Sequence, residues 1–361
     1  MATRPALAVL LAAATAPALA QSPAQGQYDG VQPEACAPIE SDTERLACYD
    51  AAHGRGRQPA APATPLSEVF GVEPEPGSLR WRIEQAGVPS KPSLLDARWE
   101  LQPESKLGVF NLRTHRPVFL LPGYWSSRPN VLPSSANPAN TVPGPVELRS
   151  VEQKFQISFK TKALENLFGD NGDLWLGYTQ SSRWQVFDGD NSRPFRETNY
   201  NPEALLVFRT GYRVAGWNAR MAAVGISHQS NGRSLPLSRS WDRVIAQVGL
   251  ERDDWVLMLR PWWRIPESRN SDDNPDITDF MGRGDIHLTH LRGDHAYTLM
   301  ARHSLRGGDR SRGALQFDWS FPLYRALRGH LQVFDGYGES MIDYNHRATY
   351  VGVGVSLVDW Y

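Results

Sequence analysis

His228, Ser230 and Asp242 place a base, a nucleophile and a carboxylate within fifteen residues of one another. A serine hydroxyl is a weak nucleophile until a neighbouring imidazole takes its proton, and a carboxylate on the other ring nitrogen orients that imidazole. The three residue types suit acyl transfer. Ser230 would attack an ester carbonyl, and His228 would pass the proton on to the leaving alcohol. Gly232 lets the backbone turn an N–H towards a developing oxyanion. On the bland reading, His228-Gln229-Ser230 is a chance pair and Asp242 forms a rim salt bridge with Arg239 or Arg243.

The elements that carry these residues read as strands, in which side chains alternate between two faces. Ala222, Val224 and Ile226 share a face that His228 and Ser230 continue. Val244, Ala246, Val248 and Leu250 share a face with Ser240 and Asp242, while Ser227, Gln229, Arg243 and Gln247 fall on the opposite rows. If Ser230 pairs with Ser240 across a hairpin, His228 lies opposite Asp242, and opposed side chains are about 4.5–5.5 Å apart at Cβ. All three groups then project from apolar rows, where lipid is expected.

Short alternating segments, separated by Gly, Asp, Asn, Ser and Pro, run from about residue 107 to the end. Twelve strands are expected, near 112–124, 151–163, 173–184, 203–212, 217–230, 239–251, 255–265, 281–291, 295–304, 313–321, 328–338 and 347–358. Such strands suit a soluble sandwich or an outer-membrane barrel. An even count favours the barrel. So do the aromatics at strand ends (Tyr124-Trp125, Tyr178, Trp184, Trp262-Trp263, Tyr344, Tyr350) and the aromatic finish Val358-Asp359-Trp360-Tyr361. The expected fold is all-β: a twelve-stranded antiparallel transmembrane β-barrel with a small N-terminal extension.

Residues 1–20 read as a signal peptide, with Arg4, an apolar stretch from Leu7 and the cleavage pattern Ala18-Leu19-Ala20. No later stretch has the roughly 18 unbroken apolar residues of a membrane helix, so an exported chain that enters a membrane must do so as a barrel. Residues 21–77 read as an N-terminal extension. It holds the two cysteines, Cys36 and Cys48, expected to pair in an oxidising compartment. It also holds a capping box at Ser41 to Glu44 that opens a short helix, and a Pro/Ala-rich linker around Gln58 to Pro65. Residues 78–361 are assigned to the barrel. A formal net charge of −1 over 361 residues gives no basic excess to attract nucleic acid.

In long blocks in the same order, residues 107–361 resemble the outer membrane phospholipases A. The blocks include Tyr178-Thr179-Gln180, Pro194 to Tyr200, His228 to Arg243, Asp272 to Ile277, Gly336 to Ser340 and Ile342 to Asn345. The resemblance implies calcium-dependent hydrolysis of acyl esters at sn-1 and sn-2 of phospholipids and lysophospholipids, by an enzyme active as a homodimer in the outer membrane. The family's serine falls on Ser230, its histidine on His228 and its oxyanion amides on Ser230 and Gly232. Its third triad member is usually Asn and here is Asp242. An Asp accepts the same imidazole hydrogen bond and its charge favours imidazolium more, a departure that bears on rate and pH dependence. The dimer's Ca2+ position maps onto the Arg233 carbonyl, the Ser238 hydroxyl and the carbonyl of Ser192 of the partner subunit. A monomer-phase Ca2+ position keeps Asp273 but has Leu235 in place of its second acid.

Gln180 continues the apolar row Leu174, Leu176, Tyr178, where an amide is costly in lipid. It either snorkels to the rim or, as the resemblance implies, bonds across a dimer interface. Strand parity sets the depth: 217–230 is the fifth strand of a barrel with both ends in the periplasm, so its hairpin faces outward, near outer-leaflet headgroups. Asp272-Asp273-Asn274-Pro275-Asp276 lacks the Gly and final Glu of an EF-hand and reads as a loop supporting the site. The competing reading is a non-catalytic porin or structural barrel. A barrel protease would need paired acids and a histidine at the extracellular mouth.

Overall fold

The computed structural model describes residues 33–39, 45–46, 48–49, 93–268, 271–325 and 327–358. The expected signal peptide, the Ser41–Glu44 capping box, the Pro/Ala-rich stretch and the terminal Asp359-Trp360-Tyr361 lie outside them. The chain divides into two compact units, Met1–Gly71 and Val72–Tyr361. In the first, Cys36 and Cys48 form the expected disulfide, and Arg45 Nη1 donates to the Ile39 carbonyl at 2.8 Å.

The second unit is one antiparallel sheet. Its strands are β1 (Leu112–Thr114), β2 (Val118–Ser126), β3 (Val151–Leu164), β4 (Asp173–Trp184), β5 (Phe195–Val214), β6 (Trp217–Ser230), β7 (Ser240–Arg252), β8 (Trp255–Arg264), β9 (Gly284–Arg292), β10 (His295–His303), β11 (Gly313–Tyr324), β12 (Leu327–Tyr337) and β13 (Arg347–Val358). Each of β2 to β13 pairs with its sequence neighbours, and β13 pairs back onto β2, with Tyr350 opposite Ser126. Twelve strands thus close a barrel that leaves no open edge. β1 adds a short extra pairing on β3.

The faces are inverted relative to a soluble protein. Ile157, Phe159, Leu176, Val224, Ile226, Leu299, Leu315 and Val353 are exposed on the outer wall. Lys154, Arg183, Glu203, Arg243, Asp318 and Gln332 are buried inside. Several of the interior charges are paired. Lys154 Nζ donates to Glu339 Oε1 at 2.7 Å, Arg183 Nη2 to the same oxygen at 2.7 Å, and Arg116 Nη2 to Glu203 Oε2 at 2.6 Å. Only a wall that faces hydrocarbon makes that distribution favourable.

The two ends differ. At one end, two-residue turns join β5–β6, β7–β8, β9–β10 and β11–β12; in the first, Ala215 and Gly216 have φ of 49° and 82°, which suits the twist of a tight hairpin. That end is plugged by the helix Leu94–Trp99. Ser93 caps it by accepting from the Asp96 amide at 3.0 Å, and Glu251 receives Ser93 Oγ at 2.8 Å together with the Leu95 amide. Leu95 and Trp99 are buried there, with Trp99 edge-on to Trp175 at 5.9 Å. The loops at the other end are longer: 127–150, 185–194, 231–239, 265–283, 304–312 and 338–346.

Three expectations need correction. The first strand breaks at His115-Arg116-Pro117, where Pro117 has no amide for the ladder. β5 begins at Phe195, not near 203. Its early half is polar on its inner face (Glu197, Asn199, Asn201) and carries Pro202, so it read as loop although it pairs continuously with β4 from Ser182–Thr198 onward. The aromatic girdle is also thinner than expected. Tyr124, Trp262, Tyr344 and Tyr350 are buried, while Trp125 and Trp263 remain exposed. Adjacent aromatics on a strand must point to opposite faces, so only one of each pair can reach lipid.

Candidate active site in the β6–β7 hairpin

The register across β6 and β7 sets Ser230 opposite Ser240 and His228 opposite Asp242. His228 Nδ1 lies 2.8 Å from Asp242 Oδ1. A carboxylate only accepts, so Nδ1 donates this bond, and in the neutral ring Nε2 is then the acceptor nitrogen. Both side chains are nearly half exposed, on the outer wall above Ile226 and Val244. The alternative rim salt bridge does not form. Arg239 is fully buried and donates to the carbonyls of Ser134, Asn140 and Ser238 at 2.7–2.9 Å, and Arg243 turns inward to stack 4.2 Å over the Trp241 ring.

The inner rows hold the outer ones in place. Asn201 Nδ2 donates to the His228 carbonyl at 2.7 Å and to Ser227 Oγ at 2.8 Å. Gln229 Oε1 accepts from Trp241 Nε1 at 3.0 Å and from Arg243 at 3.2 Å. The polar lumen thus pins the strand segment that presents His228 and Ser230 outward.

Asn231, 3% exposed, closes the loop that follows Ser230. Its amide donates to the Arg239 carbonyl at 3.0 Å, and its Oδ1 accepts from the Arg239 amide at 2.9 Å and the Arg233 amide at 3.3 Å. Its Nδ2 donates to the Leu237 carbonyl at 2.8 Å and to Glu197 Oε2 at 3.2 Å. Between these anchors Gly232 has φ of 61°, and a Cβ there would lie 3.0 Å from the Tyr200 ring. Sequence reading found Gly232 but missed Asn231, Asn201 and Tyr200. Asn231 could have been noticed as a turn-forming residue beside Ser230; the others are distant in sequence.

Of the expected metal-binding residues, Ser238 and Asp273 are brought together: Ser238 Oγ donates to Asp273 Oδ2 at 2.6 Å. Asp273 also receives Asn140 Nδ2 at 2.9 Å and Ser240 Oγ at 3.3 Å, and Asn274 Oδ1 receives the Ser240 amide at 3.0 Å. The 271–276 segment therefore braces the start of β7. Arg233 lies in the same hairpin loop, whereas Ser192 stands exposed on the separate 185–194 loop, with φ of 59°. Leu235 is 60% exposed. Among the described residues no three His, Cys, Asp or Glu side chains gather as a metal site. A donor set of carbonyl and hydroxyl oxygens beside one carboxylate still has the hard-oxygen chemistry that Ca2+ prefers.

Gln180 lies level with Ser230 on one pairing row: Ile157, Gln180, Tyr200, Ser230, Ser240. Within the single wall it accepts from the Tyr178 hydroxyl at 3.1 Å and donates to Ser182 Oγ at 3.4 Å.

A family model described as Phospholipase A1 matches residues 95–357. The chain belongs to the phospholipase A1 family. It is 34% identical over 348 residues to a putative phospholipase A1 of Neisseria meningitidis serogroup B, covering 90% of each chain. It is 41% identical over 211 residues to the phospholipase A1 of Escherichia coli, covering 58% of this chain and 71% of that one. Among solved structures, the outer membrane phospholipase A of E. coli superposes with a TM-score of 0.61 at 34% identity, covering 69% of this chain and 95% of that one. The Salmonella typhi outer membrane phospholipase, described as a dimer with bound calcium, gives 0.61 at 34% identity over 70% of this chain and 94% of that one. This phospholipase A1 family member is thus an esterase built as an outer-membrane barrel.

Proposed function

We propose that this chain hydrolyses acyl esters at sn-1 and sn-2 of phospholipids and lysophospholipids through Ser230, His228 and Asp242, as a calcium-dependent homodimer with its site in the outer leaflet. The observation that carries the reading is the 2.8 Å contact between His228 and Asp242 on the lipid-facing wall, in register with Ser230. The longer loops at the site's end support an extracellular orientation, since outer-membrane barrels keep short turns in the periplasm.

His228 Nε2 takes the Ser230 proton as Oγ attacks the ester carbonyl. Asp242 holds the Nδ1–H and stabilises the imidazolium. The amides of Ser230 and Gly232 receive the oxyanion. His228 then protonates the departing lysolipid alcohol, leaving an acyl group on Ser230. A water, deprotonated by His228, then attacks the acyl carbonyl; the Ser230 Oγ–acyl bond breaks, His228 returns the proton to Oγ, and the fatty acid leaves. The Arg233 carbonyl, the Ser238 hydroxyl and the carbonyl of Ser192 of the partner subunit would hold Ca2+, with Asp273 nearby. When bound, the ion would supply positive charge that favours a developing oxyanion. Gln180, already level with Ser230, would bond across the dimer interface.

The test is hydrolysis of phospholipid in detergent micelles by refolded protein, with calcium or with chelator, for wild type and Ser230→Ala. Calcium-dependent activity lost in the variant is expected. Full activity in Ser230→Ala sinks the mechanism, and no activity in either protein favours a non-catalytic barrel.

A further inference from the structure

A second feature of the outer wall is separate from the hairpin site. At the long-loop end, a concavity of about 770 Å³ spans β8 to β12. The pairing explains its shape. Leu259 is opposite Ile286, Ile286 opposite Ala301, and Ala301 opposite Leu315, all on the outward face. Only a methyl group stands between two large side chains, which are 47% and 56% exposed. One outward position nearer the mouth, Gly284 and Gly313 carry no side chain. The result is an apolar depression with Ala301 as its floor, bounded towards the mouth by His303, which stands opposite Gly313 on the same outward row of β10.

Arg283, Arg312 and Arg347 line its mouth. Arg347 is neutralised by Asp335 at 3.1 Å, and that carboxylate also accepts from Thr349 Oγ1 at 2.6 Å. Neither Arg283 nor Arg312 forms an ion pair among the described residues; the Arg312 guanidinium lies 3.8 Å over the Phe280 ring. Two guanidinium groups without a contact ion pair thus sit at the mouth end of a groove that opens to hydrocarbon.

We propose that this trough binds a phosphate-bearing anionic lipid, with the phosphate on Arg283 and Arg312 and an acyl chain between Ile286 and Leu315 over Ala301. Guanidinium forks match phosphate oxygens in geometry and charge. A zwitterionic headgroup would bring its own cation against the same arginines. A free phosphate would leave the trough unused. The inference needs the membrane barrel but not the hydrolytic mechanism.

Native mass spectrometry of the refolded barrel tests it, using ether-linked phosphatidylglycerol and ether-linked phosphatidylcholine, which have no ester to cleave. Wild type should retain the anionic lipid about tenfold better, the order expected for one or two charge-assisted hydrogen bonds. Arg283→Gln with Arg312→Gln should abolish that preference, and Ala301→Leu, which fills the trough, should reduce retention of both lipids. Equal retention of the two lipids by wild type, or an unchanged preference in the arginine double variant, overturns the proposal. So does displacement of the lipid by millimolar inorganic phosphate, which would mark a simple anion site. The heat-modifiable gel mobility of a folded barrel checks each variant. Should Ala301→Leu fail to fold, the arginine variant still decides.

Discussion

Asn231 and Arg239 clasp each other through their main chains and one side chain: the Asn231 amide meets the Arg239 carbonyl at 3.0 Å, and Asn231 Oδ1 receives the Arg239 amide at 2.9 Å. This clasp joins the two ends of the loop that holds Gly232. Removing the Asn231 carboxamide leaves buried partners unsatisfied at about 1–3 kcal/mol. Asn231→Ala should therefore lower the urea midpoint and reduce kcat with little change in KM, because the oxyanion amide moves while the lipid-binding wall does not. A variant with lowered stability and unchanged kcat would show that the clasp is structural only.

Asp242 separates charge from hydrogen bonding. Asp242→Asn keeps an acceptor for His228 Nδ1–H and should retain activity within about tenfold at its optimum, with a changed pH profile. Asp242→Ala removes the acceptor and should cost about 10²–10⁴ in kcat, the range of a general acid–base contribution. Steady-state hydrolysis from pH 6 to 9 distinguishes them; equal activity of the two variants would remove Asp242 from the mechanism.

The mouth of the barrel makes stability depend on acid. Burial alone would raise the Glu339 carboxyl, but Arg183 and Lys154 outweigh it and hold it well below the usual carboxylate range. Asp343 is likewise lowered, against burial, by Arg196 and Ser340. A depressed folded value means stabilisation that is complete above the unfolded value of about 4 and lost as pH falls through the folded one. Unfolding midpoints should hold from pH 6 to 8 and fall below about pH 4. Glu339→Gln should be destabilised near neutrality by roughly 3–5 kcal/mol, because it strands buried cations. It should also lose less on acidification. An unchanged acid slope in Glu339→Gln would show that other carboxylates dominate.

Leu235 and Gln180 test the proposed calcium-dependent dimer from two sides. Leu235 is exposed, so Leu235→Asp adds a carboxylate to the Arg233–Ser238 loop without burying a charge. Calorimetry of the monomer should show tighter calcium binding in that variant, by about tenfold or more. Gln180→Leu should weaken calcium-dependent crosslinking by the worth of an interhelical-type polar contact in lipid, about 0.6–2 kcal/mol. Crosslinking indifferent to Gln180→Leu places the interface elsewhere.

Much of this molecule is legible without coordinates, because period-two alternation is a local property. Leu315 and Phe317 opposing Gln316 and Asp318, or Val351 and Val353 opposing Gly352, declare strand and face at once. The same parity put His228, Ser230 and Asp242 on the outer wall, and the hairpin was short enough for its register to follow from Ser230 opposite Ser240. What the chain alone does not determine is contact between residues far apart in sequence. Asp273 bracing Ser238, Asn201 holding the His228 carbonyl and Arg239 reaching Ser134 all depend on loops and strands meeting only when the barrel closes. The first half of β5 was hidden because its inward residues are polar, as loop residues are. Only the pairing with β4 shows that their partners lie in a polar lumen. The trough at Ala301 is the clearest case: an alanine between Met300 and Arg302 has no meaning until Ile286 and Leu315 stand on either side of it.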